Sequence, residues 1–158
     1  MLVKSALVTL GLLVVSSPSV MSAKPVAEVK PIRVDGGEYT PMRARITYYH
    51  RFQDKFGNKV AMDTHAKAVE GVTVAAHPVF KFGTRVYIPE LRGVVGSGEF
   101  TVQDRGSAVT AKQASKYKTF VFDIYVEAPS RKCANRRLKH LSNRESEYMT
   151  VYVPKGEI

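Results

Sequence analysis

Two aspartates pose the chemical question. Asp104 follows the run "EFTVQ" within "TVQDRGSAV" (101–109), and Asp123 sits inside "TFVFDIYV" (119–126). Strand alternation in the second run puts Phe120, Phe122, Ile124 and Val126 on one face. Thr119, Val121, Asp123 and Tyr125 take the other. A carboxyl held mid-strand among bulky apolar groups is desolvated, which raises its pKa toward the range a general acid needs. Asp104 comes at a strand end, just before Gly106, where small folds place reactive groups. Two carboxylates in different surroundings are the minimal apparatus for cleaving a glycosidic bond. Spacing alone favours a plainer reading, in which Asp104 starts an Asx-type turn and Asp123 faces solvent.

Other reactive residue types give weaker patterns. His50, His65, His77 and His140 form no i, i+4 pair and no HExxH, so they read as scattered surface or turn histidines and not as a metal site. Ser107 lacks the G-x-S-x-G elbow. Cys133 is the single cysteine, which excludes an intramolecular disulfide and a cysteine-type metal centre, and it reads as a buried or idle thiol. Arg131, Lys132, Arg136, Arg137, Lys139 and Arg144 crowd one segment in which 130–147 holds no Phe, Tyr or Trp. Single-strand nucleic-acid binding would interleave aromatics there. A solvated helix face, or a contact to wall polymer, fits better, and no nucleic-acid partner is expected.

These groups need a scaffold. Six runs rich in Val, Ile, Thr, Tyr or Phe read as strands: 45–49, 72–76, 84–88, 99–103, 119–126 and 149–153. Turn signals separate them. One helix is expected over 130–143, with Ala134, Leu138 and Leu141 at i, i+4 and i+7. Six short strands and one helix in about 115 residues suggest a mainly β protein, a small closed barrel whose closure removes edge strands.

The chain has 158 residues, enough for one domain. Residues 1–23 read as a secretory signal peptide: Lys4, an apolar stretch from Ala6 to Val15, then small residues to Ala23. That stretch is too short for a stable membrane span, which takes roughly 20 residues. Residues 24–43, with three prolines and a Gly-Gly pair, read as a flexible linker, and 44–158 as the folded domain. The net charge is +10, and Lys4 is the only charge in 1–23, so the exported part carries +9. An exported basic domain suggests an anionic cell-wall polymer as partner. Its expected place is the periplasm, cell envelope or exterior.

The order "ITYY … GVTVAAHPVFKFGTRVYI … TVQDRGSAV … FDIYV … MTVYV" resembles the three-aspartate (3D) domain family, over about 110 residues. That domain forms the core of the membrane-bound lytic transglycosylase A type and is akin to the expansin barrel. The resemblance implies a six-stranded double-psi β-barrel and a bacterial role in peptidoglycan turnover. It implies an acid/base at Asp123, with Asp104 beside it tuning its pKa or holding it. Thr47 matches a threonine of the same cleft, and Tyr48 and Arg105 are expected to line it as substrate-binding residues. No metal or organic cofactor is implied. The pattern departs at His77, where the family carries its first aspartate, in the long basic segment 110–118, and in having a single wall. A non-catalytic, expansin-like glycan-binding module is the alternative the same residues allow.

Overall fold

The computed structural model describes residues 30–34, 36–53, 57, 59–63, 65–110, 119–143 and 148–157. The expected signal peptide and residues 111–118 of the basic segment lie outside them. Seven strands follow in chain order: β1 (Ile32–Val34), β2 (Gly37–Tyr49), β3 (Thr73–Ala75), β4 (Arg85–Tyr87), β5 (Glu99–Asp104), β6 (Val121–Tyr125) and β7 (Tyr148–Pro154). A single helical turn, α1 (Ser107–Thr110), follows β5, and the one long helix, α2 (Arg131–Ser142), precedes β7. The sheet runs β1-β2-β6-β3-β5-β4-β7, and β2 also pairs with β7. Six strands thus close into the expected small barrel, with β1 as an extra strand. The β2–β6 and β3–β5 pairs are parallel and the others antiparallel.

The barrel strands bury the face their alternation marks as apolar. Ile46 and Tyr48 of β2, Phe100 and Val102 of β5, Phe122 and Ile124 of β6, and Val151 and Val153 of β7 fill one interior cluster. Phe80 seals it, with ring centroids 5.1 Å from Phe120 and 5.0 Å from Phe122. Phe122 is 0% exposed, so truncation to Ala would cost about 3–5 kcal/mol.

The linker expected over 24–43 needs correction. Its described part holds β1 and the first half of β2. Proline and glycine concealed a strand whose stability comes from distant partners: Tyr39 to Arg45 pair with Pro154 to Tyr148. Pro41 fits because β2 has no neighbour there on its other side, since β1 pairs only to Tyr39 and β6 only from Arg45.

Two smaller clusters cover the outside of β6. Val60 and Ala68 lie over Tyr125, and Val109 of α1 lies with Ala75 over Val121. The intervening segment is held by tight backbone contact. Gly71 and Gly96 both have positive φ, and a Cβ on Gly96 would stand 2.6 Å from the Gly71 Cα. The helix is N-capped by Ser130, whose hydroxyl accepts from the Cys133 amide at 3.3 Å. Arg137 forks onto the Glu70 carboxylate and also donates to the Glu127 carbonyl at 2.8 Å. Among the described residues, no helix is long and apolar enough to cross a membrane.

Candidate active site

The outer face of the barrel wall carries a row of four residues. Thr47 of β2 pairs with Asp123 of β6, Asp123 pairs with Ala75 of β3, and Ala75 pairs with Asp104 of β5. The two carboxylates are therefore two strand spacings apart, about 10 Å between Cα atoms. The residue between them has only a methyl group, so nothing bulky on β3 rises between the acids.

Asp104 reaches this face through an irregularity. Phe100 and Val102 point into the barrel, and strict alternation would send Asp104 after them. The pairing instead shifts by one residue: Val74 pairs with Val102, but Ala75 pairs with Asp104. Gln103 is skipped, a bulge that re-aims the next side chain. Gln103 stays tied to β3 by the Thr73 hydroxyl, which donates to its Oε1 at 2.7 Å.

The two carboxyls have different surroundings. Asp104 accepts from three donors: the Tyr49 hydroxyl at 2.8 Å on Oδ2, and the Ala61 amide at 3.0 Å and the Arg105 amide at 2.8 Å on Oδ1. Asp123 accepts from the Thr47 hydroxyl at 2.7 Å. It lies between the covered residues Val121 and Tyr125. Burial pushes its pKa from the usual 3.8 up to about 6. The Thr47 hydrogen bond opposes that rise, the Asp104 charge adds to it, and Arg45 opposes it again. Tyr49 of β2 reaches the Asp104 carboxyl, its ring 5.4 Å from Tyr125 in an edge-on contact. Burial, and then the Asp104 charge, pushes its phenol far above the usual tyrosine range, which keeps it a neutral donor.

Chemically, the row offers one carboxyl able to hold and release a proton near neutral pH. Its partner already accepts a hydrogen bond on each oxygen.

The expected site residues divide. Thr47, Asp104 and Asp123 come together. Arg105 adjoins them, but its guanidinium is engaged: it donates to the Asp104 carbonyl at 3.0 Å and the Phe80 carbonyl at 2.6 Å, and lies 4.1 Å over the Phe82 ring. Burial lowers its pKa, while the Asp104 charge opposes that. Arg105 thus ties the 80–82 turn to the end of β5. Tyr48 is a correction. It belongs to the interior cluster at 9% exposure, because it shares the face of Ile46. Its neighbour Tyr49 is the tyrosine of the site.

Sequence reading missed Tyr49, Ala75, the Gln103 bulge and the Ala61 amide. The alternation of "ITYY" carried the signal for Tyr49. An amide donor carries none, since every non-proline residue has one.

The remaining candidates lie elsewhere. The His77 ring accepts from the Val79 amide at 3.2 Å, the i to i+2 bond an aspartate would make in such a turn. His50 is buried and bridges the Phe52 amide and the Asn135 side chain. Ser107 opens α1 on the surface, and Cys133 is exposed on α2. A scan against models of known protein families finds no match, and no curated protein matches the chain, so the reading of the site stands on its geometry.

Proposed function

We propose that this is an exported bacterial cell-envelope protein that cleaves glycosidic bonds in peptidoglycan, by a lytic-transglycosylase-like mechanism with Asp123 as acid and base. The observation that carries the reading is the contrast within the pair. Asp123 has a raised pKa and, among the described residues, accepts from Thr47 alone, whereas both oxygens of Asp104 already accept hydrogen bonds. A two-carboxylate hydrolase needs its second carboxylate free to attack or to activate water. An Asp104 engaged on both oxygens favours chemistry that uses one acid and a nucleophile supplied by the substrate. The motif order that resembles the 3D domain family points the same way.

In that mechanism protonated Asp123 gives its proton to the glycosidic oxygen as the C1–O bond breaks, and the leaving sugar departs as an alcohol. The carboxylate then takes the proton of the sugar's own 6-hydroxyl as that oxygen closes on C1. An anhydro sugar forms, no water is consumed, and Asp123 ends protonated. Asp104 adds to the raised pKa and Thr47 fixes the carboxyl's orientation. Digestion of purified sacculi, followed by mass analysis of released muropeptides, tests this. Anhydro products are expected from the wild type and none from Asp123→Asn. Equal release by both would sink the assignment.

A second reading is a non-catalytic, expansin-like glycan-binding module, which the charge of +9 outside residues 1–23 favours. Wild-type protein that sediments with sacculi, releases nothing and detaches as salt rises would support it.

A further inference from the structure

We propose that a groove between β1 and the β4–β5 wall binds an acidic sugar, a pyranose carrying a carboxylate, at a site separate from Asp123. The groove holds about 410 Å³ and is lined by Arg33, Val34, Tyr87, Arg92, Ser97 and Glu99 together with Ile32. That volume lies in the range of small-ligand sites.

Its charge is unbalanced. Among the described residues, neither Arg33 nor Arg92 forms an ion pair. Glu99, the groove's acidic residue, is met by Arg85 at 2.8 Å. Among the described residues, the two guanidiniums of the groove thus have no carboxylate partner, and their planar forks match a carboxylate.

The rest of the lining selects a sugar ring over a bare anion. Tyr87 presents an aromatic surface in a fixed place. Its ring lies 6.2 Å from that of Tyr152, and it packs so close to Gly98 that an added Cβ there would come 3.1 Å from the ring. Such a ring offers an apolar face and a polar tip together. The Ser97 hydroxyl accepts from the Glu99 amide at 3.2 Å, and its own O–H remains to donate to a sugar hydroxyl.

The groove and the Asp123 row occupy different parts of one wall. Tyr87 pairs with Glu99 at the start of β5, and Asp104 ends that strand. Five residue steps separate the two, about 17 Å of extended chain. The inference does not rest on cleavage by Asp123, because a binding-only protein would use the groove equally.

Calorimetric titration of the protein with a galacturonate hexamer tests it. The Arg33→Ala/Arg92→Ala double variant is expected to bind at least tenfold more weakly. Ser97→Asp, which keeps both guanidiniums and adds a repelling charge on an exposed turn, is expected to weaken binding as well. Asp123→Asn is expected to bind as the wild type does. A neutral N-acetylglucosamine hexamer is expected to bind at least tenfold more weakly than the acidic one. Undiminished binding in both groove variants, loss of binding in Asp123→Asn, or a glycerol-phosphate oligomer bound as tightly as galacturonate would overturn the proposal.

Discussion

Asp104 and Asp123 stand on the same wall, separated by one strand and one methyl group, yet the protein treats them oppositely. The β5 end surrounds its carboxyl with a phenol and two amides. Among the described residues, the middle of β6 gives its carboxyl one hydroxyl donor, and burial takes water away. Donors that favour the charged form make a structural anchor, and burial with little compensation makes a proton carrier. The difference arises from backbone placement more than from side-chain choice. A bulge at a strand end exposes amides to Asp104, whereas mid-strand amides near Asp123 are committed to the ladder.

The largest test of this contrast is removal of the proton. Asp123→Asn is expected to lower glycan cleavage by about 10²–10⁴-fold, the usual contribution of general acid–base catalysis. Muropeptide release measures it. Asp104→Asn should retain part of the activity and lose stability by about 2–3 kcal/mol, since hydrogen bonds to a charged acceptor weaken when it becomes neutral. Urea denaturation reads that loss. Equal effects of the two substitutions on activity would erase the division of roles.

The acid's raised pKa also has a stability consequence of definite sign. The folded carboxyl keeps its proton up to about pH 6, against 3.8 ordinarily. The folded state therefore binds protons more tightly, and stability falls as pH rises from about 4 to 6. A shift of this size corresponds to about 2–3 kcal/mol. Asp123→Asn should then be more stable than the wild type at pH 7, by about 1–3 kcal/mol, with the difference shrinking toward pH 4. Denaturation at both pH values checks it.

The finest test separates donor from neighbour. Thr47→Val removes a bond that favours the charged form, so the alkaline limb of the pH–activity profile should move to higher pH. Asp104→Asn removes a repelling charge, so the same limb should move to lower pH. Shifts in the same direction would contradict the electrostatic account. Tyr49→Phe should have the smallest effect, about 1–2 kcal/mol of stability through one lost donor to Asp104.

Much of this was legible from residue types. The six barrel strands follow from β-branched and aromatic runs and α2 from its apolar spacing, while alternation in "TFVFDIYV" puts Asp123 on the outer face without announcing the clusters that cover Val121 and Tyr125 beside it. Tyr48 was mistaken for a site residue although Ile46, two positions earlier, marks the inward face. Residues 32–34 and 37–43 read as linker because their strand order depends on partners at the far end of the chain. Asp104 points outward through a one-residue register shift, and no local pattern announces such a shift. Its donors Ala61 and Arg105 act through the main chain, which sequence does not distinguish.

The pairing of β2 with β7 also governs when this molecule can become itself. Closure joins positions as far apart as Glu38 and Lys155, 117 residues along the chain. Such a join carries a loop-closure cost that short-range contacts do not, and folds dominated by distant pairings form slowly, in milliseconds to seconds. A growing chain therefore holds β2 and β4 with open hydrogen-bonding edges until β7 has been made. The barrel wall that carries the acid on β6 closes only after that strand is in place.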